Sequence, residues 1–331
     1  MTPRYAFWLF LLACVLALAS LAAALGVGSV SLGWDELLGA MLADGRDYLA
    51  HEIVWELRLP RAVTGFACGG LLALAGAWMQ VLLRNPLADP YILGISGGAG
   101  VGALLAMLAG PSATWLGGGA LAGALCAMLL VFGLAHGSGV WMQTRLLLTG
   151  VIVASGAGAV ITLILSLAPQ AQLKGMLFWL MGDLSQSNSP WLALSVLGFM
   201  LLVTLPLARD LNLLARGRDT ALALGVAVHR LSMLVFFLAS FATAMVVTQA
   251  GAIGFVGLIV PHLVRLLVGN DQRLLLPLAV ISGGALLVAA DTLARTMFAP
   301  QQLPVGVLTA LLGAPLFLFL LSRQKHEQLL P

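Results

Sequence analysis

Ten stretches of sixteen or more mostly apolar residues follow one another along this chain, parted only by short charged or Pro- and Gly-containing segments. They run approximately over residues 5–25, 61–83, 92–109, 115–135, 145–167, 190–208, 230–250, 253–268, 274–293 and 304–322. A helix needs about 20 apolar residues to cross the hydrocarbon core of a bilayer, so each stretch is close to one span. Composition agrees: 61% of the 331 residues are hydrophobic and 9% are charged, where a soluble domain carries about 25% charged residues. In lipid every backbone N–H and C=O must be bonded within the chain, which leaves helices or closed barrels. Barrel strands would show alternating segments of about ten residues, and these runs are longer and do not alternate. The expected fold class is therefore an all-α polytopic membrane protein with about ten transmembrane helices. Gly65 and Gly69, four apart, provide the small-residue spacing that lets such helices approach closely.

Charge gives the orientation. With ten spans both termini lie on one side, and that side holds eleven of the sixteen Lys and Arg residues; Arg46, Arg58, Arg61, Lys174 and Arg295 fall on the other. Positive loops stay in the cytoplasm, so both termini are expected there. The same asymmetry accounts for the basic balance: the net charge is only +3 and no basic cluster exceeds a few residues, which does not fit a nucleic-acid partner. Residues 5–25, behind Arg4, resemble a signal peptide, but their length and the spans that follow favour an uncleaved first helix. Cys14, Cys68 and Cys126 lie in apolar runs without CxxC spacing and read as small core hydrophobes.

Catalytic chemistry is thin. No GxxxxGK[ST] phosphate loop is present, and neither lysine, Lys174 or Lys325, follows such a pattern, so the chain cannot bind ATP in that manner. There is no HExxH, no Cys/His cluster and no pair of acids within a span. Ser155 with His262 as base is too weak a pairing to carry an intramembrane hydrolase. Ion-coupled transport needs ionisable groups buried at mid-membrane. Asp291 and His262 come nearest, each close to the end of its span, where an interfacial or capping role suffices. A stand-alone ion-coupled secondary transporter stays open as the alternative reading.

Two segments outside the spans are long. Residues 26–60 form an outer loop in which Ser31 precedes Trp34-Asp35-Glu36-Leu37, the pattern of a capped short helix. Residues 209–229 form the longest inner loop, half apolar with interspersed charge, and predict short amphipathic helices resting on another surface. Gly69-Gly70-Leu71-Leu72-Ala73 echoes Gly283-Gly284-Ala285-Leu286-Leu287, an echo that a chain so rich in Gly and Leu produces by chance.

The most informative segment is Arg84-Asn85-Pro86-Leu87-Ala88-Asp89-Pro90, between the second and third spans. Its prolines fix a turn, and Asn85 and Asp89 can bond local backbone; taken alone, it is a well-made helical hairpin. Together with Arg58-Leu59-Pro60-Arg61, Gln80 and the run RNPLADPYILGISGGA (84–99), it closely resembles the permease subunits of ATP-binding-cassette importers for iron chelates and vitamin B12. The resemblance continues through LLLTGV (146–151), MLFWLMGDL (176–184), GFVGLIVPHLVRLLVGNDQR (254–273) and LPVGVLTALLGAPLF (303–317), in order and at consistent spacing.

That resemblance implies a type II ABC importer permease architecture: ten helices in one transmembrane domain, 1–331, with an inner coupling loop at about 209–229. It implies a homodimer in the bacterial inner membrane, two cytoplasmic ABC ATPase subunits and a periplasmic substrate-binding protein. The chain would bind no cofactor; ATP and Mg would be used by the partner ATPase. The cargo would be a ferric siderophore, haem or vitamin B12, with iron chelates ranked first.

Residue roles follow the same way. Arg58, Arg61 and Arg295 match family positions that receive acidic residues of the binding protein, which suits the planar fork of Arg; the alternative is that Arg58 and Arg61 merely anchor a helix start at head-group level. Arg218, Asp219, Ala221, Leu222, Leu224, Gly225 and Val226 would couple to the ATPase, against the alternative of a solvated loop. Asn85 and Leu87 match positions that close the inner end of the pathway. Gln143 and Thr144 align with a second constriction only through the neighbouring Arg145-Leu146-Leu147-Leu148. Gln80 could face the pathway or a neighbouring helix.

Overall fold

The computed structural model describes the chain except residues 1–2, 29, 31, 42–47, 111–112, 136–140, 186–188 and 328–331. In chain order the helices are α1 (Pro3–Gly26), α2 (Trp34–Met41), α3 (Tyr48–Glu52), α4 (Leu59–Leu82), α5 (Ile95–Ala109), α6 (Ala113–Ala135), α7 (Trp141–Leu167), α8 (Gln170–Leu180), α9 (Pro190–Thr204), α10 (Ala208–Arg216), α11 (Arg218–Ala223), α12 (Val228–Ala250), α13 (Val256–Val268), α14 (Gln272–Thr296) and α15 (Val305–Glu327). A π-helical turn occupies Ile53–Arg58 and a 3-10 turn Pro90–Leu93. Each of the ten apolar stretches is helical. Among the described residues, six helices are long and apolar enough to cross a membrane unaided; α9 reaches that length only if counted with α10 across their 68° bend, and α5, α13 and the apolar part of α15 are shorter.

The bundle is organised around α4. From Ala67 to Leu82 it is buried at every position, as expected of a helix that is apolar almost all round. α14, α12, α13, α9 and α1 surround it. Glycine sets how closely they approach. A Cβ on Gly69 would lie 2.2 Å from the carbonyl oxygen of Gly283, and one on Gly76 would lie 1.7 Å from that of Gly257. The Gly69-Gly70 and Gly283-Gly284 segments thus pack against each other, α4 across α14. α5 and α6 meet the same way at Gly98/Gly123 and Gly102/Gly119.

Two features differ from the sequence reading. Residues 26–60 are not a loop throughout: helix continues from Leu49 to Leu82 without interruption. Pro60 suggested a boundary, but the π turn before it shifts bonding to i→i−5, with the Leu59 N–H on the Val54 carbonyl. Pro60, which has no N–H to offer, is accommodated in the first turn that follows. Ser31 lies outside the described residues; what caps α2 in view is Glu36, whose carboxylate accepts from the Gly33 N–H at 2.7 Å. The second difference is α8, in a stretch that reads as outer loop. Its Met176 and Trp179 are buried, and Leu180 lies against Gly100 of α5. Of the three cysteines only Cys68 is fully buried; Cys14 is half-buried and Cys126 exposed.

Irregular backbone gathers inside the bundle where α5, α13 and α15 begin. The Asp183 N–H donates to the Ala250 carbonyl at 2.8 Å, the Gly306 N–H to that of Gly182 at 3.4 Å, and the Ile253 N–H to the Tyr91 hydroxyl at 3.1 Å. Gly182, Gly251 and Gly94 turn there with positive φ. Non-helical backbone at such a depth is tolerated only when protein groups satisfy it, and these bonds do so.

Candidate functional site

The chain presents a polar cluster at each end of the α4–α14 pair. At one end, Arg61 on α4 meets Asp291 on α14 through two bonds, Nε to Oδ2 and Nη2 to Oδ1, each 2.8 Å. Asp183 lies 3.8 Å from the same guanidinium, and Nη1 donates to Gln302 at 3.1 Å. Arg58 and Arg295 are directed at the C-terminus of α1. Arg58 donates to the carbonyls of Leu25 at 2.6 Å, Gly26 at 2.9 Å and Val30 at 2.5 Å. Arg295 donates to the carbonyl of Ala24. The last carbonyls of a helix lack partners within it, and cations there are favoured by the helix dipole. Gly28 leaves room for this, since a Cβ on it would sit 2.8 Å from the Arg58 guanidinium.

The structure thus brings Arg58, Arg61 and Arg295 together, as a shared site requires, but engages all three inside the chain. Arg58 and Arg295 are buried; by side chain Arg295 is 9% exposed and Arg61 13%, beside the more open Asp183 at 21%. Asp291 and Asp183, the partners that balance the cluster, were not among the candidate site residues.

At the other end, the 84–90 turn carries Arg84 in the left-handed conformation (φ 47°). The Asn85 side chain accepts from the Leu87 N–H at 2.9 Å, and that of Asp89 from the Tyr91 N–H at 2.8 Å. Asn85 and Leu87 are both exposed. Gln80 is not: it is 3% exposed, donates to the Leu258 carbonyl at 3.1 Å and accepts from Arg265 at 2.6 Å. Of the two orientations left open, it takes the one towards the neighbouring helix, α13. Thr144 is exposed in the first turns of α7; Gln143 precedes it in that helix, and its side chain lies outside those described.

The 209–229 segment forms two short helices, α10 and α11, joined at Gly217 (φ 133°). α10 buries Ala208, Leu211 and Leu214, the amphipathic arrangement its sequence suggests. The coupling candidates divide. Ala221 is fully buried and Val226 is 7% exposed, while Leu222 and Leu224 are 50% and 58% exposed. Arg218 is half-buried, and Asp219 and Gly225 are exposed; Gly225 makes the turn with φ 82°. Asn212 was missed: its amide donates to Asp271 at 2.9 Å and accepts from the Gln272 N–H at 2.8 Å. The Asn-Asp-Gln run at 270–272, just where a helix begins, was the available signal.

Among the described residues, ten apolar helices, one of them buried at the centre, with amphipathic helices laid across one end, define a multi-pass membrane permease. A model of the FecCD transport family matches residues 14–323, and the chain belongs to that family. It is 45% identical over 312 residues to the cobalamin import system permease protein BtuC of Halobacterium salinarum, covering 92% of this chain and 84% of that one. It is 38% identical over 331 residues to the hemin transport system permease protein HmuU of Yersinia pestis, covering 97% and 96%. Among solved structures, a metal-chelate type ABC transporter in an inward-facing conformation superposes with a TM-score of 0.82 at 32% identity, over 97% of this chain and 99% of the other. The chain is accordingly the permease subunit of an ATP-binding-cassette importer, and ATP hydrolysis belongs to a separate subunit.

Proposed function

We propose that residues 1–331 form one permease unit that works as a homodimer in the bacterial inner membrane, with both termini in the cytoplasm. Two cytoplasmic ATPases, using ATP and Mg, drive it, and a periplasmic binding protein delivers the cargo. The observation that carries this reading is the exposure pattern of the 209–229 segment. Leu222 and Leu224 project outward, 50% and 58% exposed, from a turn that Ala221 and Val226 anchor beneath them. Exposed apolar side chains on an ordered segment outside the spans mark a contact surface, and Arg218 and Asp219 supply its rim.

Docking of the binding protein is assigned to the opposite end. Arg61, the least enclosed of the three arginines, makes the contact with partner carboxylates, and Arg58 and Arg295 hold the end of α1 in place beside it. Asn85, Leu87, Gln143 and Thr144 line the inner mouth, with Gln80 bracing α4 behind them. The cargo is a corrinoid or an iron chelate such as haem. The similarity to a cobalamin permease and to a hemin permease supports both and does not support ranking iron chelates first.

The test is reconstitution with the ATPase and binding protein in liposomes, measuring uptake of radiolabelled cobalamin, haem and a ferric siderophore. ATP-dependent uptake of one of them that requires the binding protein is expected. Uptake by the chain alone, following an ion gradient, would replace this reading with a secondary transporter.

A further inference from the structure

We propose that Asn212 is the grip by which the 209–229 segment moves α14, and that α14 carries the motion to the Arg61–Asp291 pair at the far end. This rests on the ATPase-facing reading of that segment. Asn212 uses both ends of its amide on one target: Nδ2 donates to Asp271 at 2.9 Å and Oδ1 accepts from the Gln272 N–H at 2.8 Å. Asp271 is the N-cap of α14, accepting from the Arg273 N–H at 3.1 Å. α10 is therefore bonded to the first turn of α14 at a fixed distance and orientation, so a displacement of α10 is passed to α14 through these bonds.

α14 runs 25 residues, about 37 Å at 1.5 Å per residue. Between its ends it packs along α4, with Val280 and Val288 against Gly70 and Gly65, and comes closest backbone to backbone at Gly283 and Gly69; that closest contact is the pivot of the proposed motion. From Gly283 it is about 18 Å along the helix to Asp271 and about 12 Å to Asp291. Pro277 removes one internal bond, but Leu275, Leu276, Leu278 and Ala279 are buried around it and hold the helix in line. A displacement of Asp271 thus reaches Asp291 in the opposite sense and about two-thirds as large. There α14 holds Arg61 of α4 through Asp291 and the end of α1 through Arg295. Asn212 is a positioning residue: it binds no cargo and no nucleotide, and it sets how strongly the two ends of the permease feel each other.

The test uses the complete reconstituted complex and three variants: Asn212→Asp, Asp271→Asn and the two combined. Asn212→Asp keeps the acceptor for the Gln272 N–H but sets a carboxylate against Asp271. The combined variant restores a donor on one side and an acceptor on the other, and Asn caps a helix as Asp does. The expected result is that N212D assembles with the ATPase and hydrolyses ATP at the basal rate, while stimulation by loaded binding protein falls about tenfold. Cargo moved per ATP falls with it, and the combined variant recovers both. Wild-type stimulation in N212D, an equal loss of basal hydrolysis, or no recovery in the combined variant overturns the proposal. A wild-type complex without ATP-driven uptake would instead sink the importer reading on which it rests.

Discussion

Arg61 of α4 holds Asp291 of α14 by two parallel hydrogen bonds of 2.8 Å each, joining residues 230 positions apart. Both side chains are largely enclosed, at 13% and 6% exposure. Removing one partner of such a pair strands the other charge, at about 3–5 kcal/mol, whereas replacing both by apolar side chains of similar size is often neutral. Asp291→Ala is therefore expected to lower the unfolding temperature in detergent sharply, with Asp183, 3.8 Å from Arg61, recovering a part. The double variant Arg61→Met with Asp291→Leu should be markedly more stable than either single. Singles no worse than the double would show that the pair contributes nothing to the fold.

Tyr91 makes a different kind of tie. Its hydroxyl accepts the Ile253 N–H at 3.1 Å in the break between α12 and α13, where Ile253 is fully buried. Tyr91→Phe keeps the ring and deletes the acceptor, stranding a buried N–H at a cost of about 1–3 kcal/mol. Tyr5→Phe, on an exposed stretch of α1, serves as the control and should be silent. Equal unfolding temperatures for the two variants would mean that the break is satisfied by other groups.

The α4–α13 contact is set by hydrogen atoms. At Gly76 a Cβ would sit 1.7 Å from the Gly257 carbonyl oxygen, and the obstacle is backbone, which cannot swing aside. Gly76→Ala should cost about 3 kcal/mol, the upper part of the usual overpacking range, and cut the yield of monodisperse protein in size-exclusion chromatography. Gly198→Ala on α9, whose Cβ would meet nothing within 4 Å, should leave that yield unchanged. Similar yields from both would mean that α13 moves away freely.

The number and order of the apolar helices were legible because most of the runs are about one membrane thickness and charge separates them. The breaks were not. α8 opens with Gln-Ala-Gln-Leu-Lys and reads as loop, and only its burial against α5 makes it part of the bundle. Pro60 reads as a boundary because nothing in the sequence shows the π-turn register that carries helix past it. The arginines were recognisable as a set, but Asp291 as partner of Arg61 was not, since no spacing rule links positions on different helices. Gln80 illustrates the same limit: which way a polar residue faces on a buried helix depends on a neighbour 178 positions away.

The 209–229 segment offers the sharpest separation between a residue that holds its own chain and one that reaches for another. Leu222 and Leu224 stand 50% and 58% exposed, while Ala221 beneath them is fully buried and Val226 is 7% exposed. The Val226 N–H closes the turn on the Ala221 carbonyl at 2.9 Å. Truncating both leucines to Ala removes apolar surface that the isolated subunit does not bury, so the unfolding temperature should stay within about 2 °C of the parent, as surface changes usually do. Binding of the ATPase should weaken by about tenfold, the loss expected of a pair that belongs to the minority of interface residues contributing about 1 kcal/mol or more each. Val226→Asp should do the reverse in kind, placing a charge beneath the turn and lowering the stability of the subunit itself. Thermal unfolding of the purified permease, paired with a titration against the ATPase, separates the two. A leucine pair that matters for stability and not for the titration would place the ATPase contact elsewhere on this end of the molecule.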